Sequence, residues 1–132
     1  MLRTNKFSLL FLVWMAFVTW ASLATFHEKS APGIDVPHFD KLVHFSFYFV
    51  AAVLGTLSVR EIAHGRTPVT KTLVWVAFGV IVFGIIIEGL QYGYTPDRQG
   101  DLYDVVANSL GAIGGAAALK WLYSGGGGLK WQ

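Results

Sequence analysis

The stretch TLVWVAFGVIVFGIIIEGLQ, residues 72–91, decides the fold. Across these twenty residues the only ionisable side chain is Glu88, close to the end. A helix needs about 20 mostly apolar residues to cross the hydrocarbon core of a bilayer. A water-soluble helix of that length keeps a charged face, and this stretch has none. Working outward, residues 7–26 contain no charge at all, and in 42–59 only His44 and Tyr48 are ionisable. Residues 105–123 are rich in Gly and Ala. The sequence therefore predicts an all-α polytopic membrane protein, a four-transmembrane-helix bundle. One transmembrane domain is expected over 1–123, with spans near 7–26, 42–59, 72–91 and 105–123, and a flexible Gly-rich tail over 124–132.

Composition agrees. The chain has 132 residues, 54% of them apolar and only 14% charged, where a soluble domain carries roughly a quarter. So little polar surface would leave large apolar areas facing water. The net charge of +2 gives no reason to expect a nucleic-acid partner, and the absence of cysteine excludes disulfides and thiolate chemistry. Arg3, Lys6 and the Ser22-Leu23-Ala24 segment resemble parts of a signal peptide. The apolar run of about 20 residues exceeds the usual signal core of about 7–15, so we read it as a retained span.

Orientation follows from the basic residues in short loops. Arg3, Lys6, Arg60, Arg66, Lys71, Lys120 and Lys130 fall on one side of a four-span chain; Lys29, Lys41 and Arg98 fall on the other. The richer side is expected in the cytoplasm, which puts both termini there and the first and third loops outside. Trp14, Trp20, Trp75 and Trp121 lie within the spans, the last three near span ends where interfacial aromatics collect. Leu129-Lys130-Trp131-Gln132 reads as a disordered end, with contact at the membrane surface as the alternative.

The scarce polar residues are unevenly spread. Asp40, Lys41 and His44 mark the outer end of the second span, with Tyr48 one turn deeper. Glu88 and Gln91 mark the outer end of the third; Arg98, Asp101, Asp104 and Asn108 lead into the fourth. Spacings of three and four put each set on one helical face. Each face continues into small residues: Ala51 and Gly55, Ala77 and Gly84, Gly111 and Gly115. Small residues mark close helix contact in membranes, so the polar groups should point into the bundle. Ionisable groups in a span cost about 2.5–3.5 kcal/mol at the helix centre, less near the ends, so a retained set suggests a site. A structural role competes with that reading. Asp40, Asp101 and Asp104 can cap helices, and Glu88 can pair with Arg98 or Lys41 as glue between helices.

The ordered set resembles the VanZ-like family of membrane proteins. The resemblance rests on Asp40-Lys41-Leu42-Val43-His44-Phe45 with Tyr48, then Glu88-Gly89-Leu90-Gln91, then Arg98, Asp101-Leu102-Tyr103-Asp104 and Asn108-Ser109-Leu110-Gly111. It spans about residues 36–116. It implies a multi-pass protein of the bacterial cytoplasmic membrane, in a family named for an accessory of teicoplanin-type glycopeptide resistance. Those drugs act outside that membrane on lipid-linked wall precursors, so a membrane lipid or a lipid-linked, amphiphilic ligand is the implied partner.

Three chemistries remain open. In the first, an enzyme acts on an envelope lipid: His44 and Glu88 serve as acid and base. Lys41 and Arg98 hold a phosphate or carboxylate, Arg98 through its planar fork. Asp40, Tyr48, Gln91, Asp101, Asp104 and Asn108 complete the binding surface. In the second, the same residues recognise a headgroup or gate access without catalysis. In the third, His44, Glu88, Asp101 and Asp104 ligate a hard or borderline cation. No H-E-x-x-H or comparable motif supports the third, and no metal is expected. Nothing in the sequence indicates a cofactor. The G-x-x-x-G pairs Gly89–Gly93 and Gly111–Gly115 allow a homo-oligomer, or packing within one chain.

Overall fold

The computed structural model describes residues 5–24, 39–94, 102–124 and 130–131; the side chains of 24, 39, 40 and 91–94 lie outside the description. It contains four helices: α1 (Lys6–Ala24), α2 (Phe39–Ala63), α3 (Val69–Tyr94) and α4 (Leu102–Tyr123). α2, α3 and α4 cover their expected spans, and α1 covers its own as far as Ala24, beyond which residues 25–26 lie outside the described residues. α2 and α3 run about a turn beyond theirs at both ends, because apolarity marks only the part of a helix that lies in hydrocarbon. At about 1.5 Å per residue, helices of 19–26 residues reach across a core about 30 Å thick.

Local chemistry sets the boundary between α2 and α3. His64 and Gly65 take left-handed backbone angles, with φ of 54° and 72°. The Gly65 amide then donates to the Arg60 carbonyl at 3.0 Å, the six-to-one closure that ends many helices. Pro68 follows, whose missing N–H costs nothing at a helix start. Thr72 N donates to the Pro68 carbonyl at 3.0 Å, opening α3.

The helices alternate in direction. The start of α1, the end of α2, the start of α3 and the end of α4 share one end of the bundle, here called proximal. The opposite ends share the distal end. The packing order is not a closed ring. α2 touches all three other helices, and α1 touches α2 and α3 but not α4 among the described residues. The most extensive contact joins α2 to α4, which run parallel. Its closeness comes from glycine. A Cβ at Gly111 would collide with the carbonyl oxygen of Phe45, and one at Gly115 would lie 2.6 Å from that of Phe49. Any side chain at either position would force the helices apart. A Cβ at Gly89, by contrast, would meet nothing within 4 Å among the described residues.

The core is thin. Val18, Tyr48, Ala51, Ala52, Val80 and Ala112 form its buried centre, and the Trp14 indole donates to the Phe47 carbonyl at 2.9 Å to fix α1 against α2. Leu12, Trp75, Phe78, Ile86 and Leu110 are exposed on the outside. An exterior so apolar is suited to lipid and not to water. All four helices are long and apolar enough to cross a membrane, and the protein is a multi-pass membrane protein.

The proximal end is tied by hydrogen bonds. Glu61 Oε2 accepts from the backbone amides of Phe7 at 3.0 Å and Ser8 at 3.1 Å. A carboxylate there satisfies free amides of the first turn of α1 and favours its positive dipole end. Ser58 Oγ donates to Ser8 Oγ at 3.0 Å. Lys130 and Trp131, expected at a free end, are instead docked. Arg60 donates to the carbonyls of Trp131 at 2.7 Å and Lys130 at 3.1 Å. The Trp131 indole donates to the Thr67 carbonyl at 2.8 Å, and its ring meets Tyr123 edge-on.

Candidate functional site

The distal end carries the polar residues. Lys41 and His44 lie in the first two turns of α2, with Tyr48 one turn deeper. Glu88 lies in the last turns of α3, and Asp104 and Asn108 in the first two of α4. The parallel α2–α4 contact pairs these residues in order. Lys41 Nζ binds Asp104 Oδ1 at 2.5 Å. One turn deeper, His44 Nδ1 and Asn108 Oδ1 share a hydrogen bond of 3.0 Å. One turn deeper again, the glycine contact at Gly111 closes the interface. α3 supplies the third side. Glu88 Oε1 lies 4.0 Å from His44 Nδ1, and Asp104 Oδ2 lies 4.0 Å from His44 Nε2.

The imidazole thus stands between two carboxylates, one facing each ring nitrogen. The hydrogen bond between His44 Nδ1 and the Asn108 amide fixes the ring plane. A ring so held can take a proton on one side and release it on the other. The carboxylates are nearly closed off: Glu88 is 6% exposed and Asp104 4%. The side chains of His44 and Lys41 are more open, at 14% and 22%. Approach to the cluster is therefore by way of Lys41 and His44.

Gly84 makes room beneath. A Cβ there would sit 3.0 Å from the Tyr48 ring and 3.3 Å from Asn108 Nδ2. Tyr48 and Asn108 are each 1% exposed. The Tyr48 hydroxyl and Asn108 Nδ2 are buried without a hydrogen-bond partner among the described residues. Buried polar atoms are nearly always paired, so two such atoms beside one cluster call for a physical reason.

Of the ten residues singled out from sequence, the structure brings together Lys41, His44, Tyr48, Glu88, Asp104 and Asn108. The Asp40 and Gln91 side chains, and Arg98 and Asp101 entirely, lie outside the described residues. Asp104 faces inward to Lys41 and His44, so it is more than a helix cap. His44, Glu88 and Asp104 each offer a ligand atom, all within 4.8 Å of one another, a set that could hold a cation. The Lys41 ammonium already sits on Asp104, and a metal ion there would have to compete with it. Sequence reasoning did not find the proximal pairs Glu61–Ser8 and Arg60–Trp131.

No family model, curated protein or solved structure matches the chain.

Proposed function

We propose that this chain is a VanZ-like protein of the bacterial cytoplasmic membrane. Both termini face the cytoplasm, and the distal cluster, at the extracytoplasmic face, acts on the polar head of an envelope lipid or lipid-linked precursor. The observation that carries this reading is His44, partly open to the outside and set between buried Glu88 and Asp104. His44 and Glu88 move the proton, Lys41 supplies positive charge for a phosphate or carboxylate, and Arg98 is the second anion-binding group. A structural cluster needs no partly open imidazole between two acids, whereas proton transfer does. On this reading the protein contributes to resistance to teicoplanin-type drugs by altering the lipid-linked material they meet.

A second reading, in which the cluster only recognises a headgroup or holds helices together, draws on the Lys41–Asp104 ion pair that joins α2 to α4. Lipid profiling separates the two. Extracts are compared from cells with the gene, without it, and with His44→Ala. A substrate–product pair that changes with the gene and reverts in the variant supports catalysis. An unchanged lipidome with altered drug binding supports recognition alone.

The orientation rests on the excess of basic residues at the proximal end and has its own test. The chain has no cysteine, so single cysteines can be placed at Ser30, Pro96 and Gly65. Labelling by an impermeant maleimide in intact cells is expected at 30 and 96 but not at 65. The reverse pattern would move the site to the cytoplasm.

A further inference from the structure

α3 and α4 stay in contact near Asn108 but leave a groove between their proximal halves. Thr70, Ala77 and Ile81 line one wall, and Ile113, Ala117 and Lys120 the other, around a volume of about 390 Å³. That volume falls at the small end of the range for ligand sites, about 300–1,000 Å³. Alanines at 77, 116 and 117 leave space between the larger side chains, Leu73, Phe78 and Ile113 among them, that also line the groove. Apart from Thr70 and Lys120 its lining is apolar.

Its length and its one charged end point to an occupant. Thr70 to Ile81 spans eleven residues, a rise of about 16 Å. Half of a hydrocarbon core about 30 Å thick is about 15 Å. The groove therefore runs from one interface to the middle of the bilayer, the depth of a single leaflet. Lys120, in the last turn of α4, stands exposed at the interfacial end. Lys71, next to Thr70, is also exposed there. A second helix is a poor fit, because it is about 10–12 Å across and would bury the Lys120 ammonium against apolar surface.

We propose that this groove binds one acyl chain of an anionic phospholipid from the proximal leaflet, with the headgroup phosphate held by Lys120. The site is separate from the distal cluster and does not depend on the function proposed for it. Long basic side chains at helix ends reach the headgroup layer with their stems along apolar surface. Here the stem would lie against the chain it retains.

The test uses the full chain purified in mild detergent and titrated with dioleoyl phosphatidylglycerol or dioleoyl phosphatidylcholine, read by native mass spectrometry. The acyl chains are identical, so only the headgroup differs. The expected result is one retained phosphatidylglycerol, held about fivefold more strongly than phosphatidylcholine, the worth of one basic side chain near an anionic surface. Lys120→Gln should bring phosphatidylglycerol down to the phosphatidylcholine level and leave phosphatidylcholine unchanged. Ala117→Phe, which fills the groove, should remove the retained adduct of both. Lys120 is exposed, so its variant decides the matter even if Ala117→Phe does not fold. Equal retention of the two lipids by the wild type would overturn the proposal, as would a preference that survives Lys120→Gln. So would a dimer that Ala117→Phe dissociates with lipid retention unchanged, since the occupant would then be a second copy.

Discussion

The two ends of the bundle both carry polar residues in a membrane protein, and they use them differently. At the proximal end polar atoms meet at bonding distance and tie segments together. Glu61 closes the first turn of α1, Ser58 meets Ser8, and Arg60 and Trp131 hold the end of the chain. At the distal end Lys41–Asp104 and His44–Asn108 are at bonding distance, but the two carboxylate approaches to His44 stand at 4.0 Å. Beneath them the Tyr48 hydroxyl and Asn108 Nδ2 are buried without hydrogen-bond partners among the described residues. Thr56 Oγ1, in the proximal half of α2, is also buried without a hydrogen-bond partner among the described residues, so the contrast between the ends rests on the two carboxylate approaches to His44. The distal end thus holds ionisable side chains close together at more than hydrogen-bond distance, and it is there that the proposed ligand would act.

The comparison breaks down if distal packing and distal chemistry cannot be separated, so the largest expected effect concerns packing. Gly111→Leu places a side chain against the Phe45 carbonyl. Backbone cannot yield as a side chain can, and destabilisation of at least about 3 kcal/mol is expected, the upper end for overpacking. Unfolding in detergent, followed by circular dichroism, measures it. A variant as stable as wild type would mean the parallel α2–α4 contact is not as drawn, and the paired distal residues would lose their geometry with it.

A smaller effect belongs to the proximal end. Glu61→Ala removes a carboxylate that accepts from two backbone amides. A loss of about 2 kcal/mol is expected, in the range for hydrogen bonds to charged groups, with the cellular phenotype kept at matched protein abundance. Loss of the phenotype at full stability would show that the proximal end is functional too, and the contrast between the ends would fail.

How far the sequence carried these conclusions depends on what each feature needed. The spans were legible because residues 7–26 and 72–91 hold almost no charge over a length that crosses a bilayer, and a chain of 132 residues has too little polar surface to bury such runs in water. Gly111 and Gly115 announced a close contact but not its partner. Small residues specify distance, and the parallel pairing with α2 in place of a neighbour in sequence is a property of the whole bundle. The site was legible because polar residues are rare here and their three- and four-residue spacing fixes a face. Its internal order was not, since which carboxylate faces which nitrogen of His44 depends on the stagger of three helices. Glu61 was missed because a lone acid among basic residues resembles a solvated charge. Its role needs the start of α1 beside the end of α2. Trp131 was missed because a glycine run before it, Gly125 to Gly128, suggests a free end, while its dock at Thr67 is far away in sequence.

The central claim is that His44 and its surroundings serve a ligand and not the fold, and one paired measurement tests it. His44→Gln keeps a hydrogen-bonding side chain but removes the titratable ring. Arg98→Lys keeps the charge but removes the planar fork. Each variant is scored for the phenotype that the gene confers and for membrane abundance and melting in detergent, side by side with wild type. The account predicts that both lose the phenotype at near-normal abundance, with stability changed by no more than about 1 kcal/mol, the scale of one hydrogen bond. Early melting and poor expression in both would contradict it and make the distal cluster a structural clamp; full phenotype in both would put the function elsewhere in the molecule.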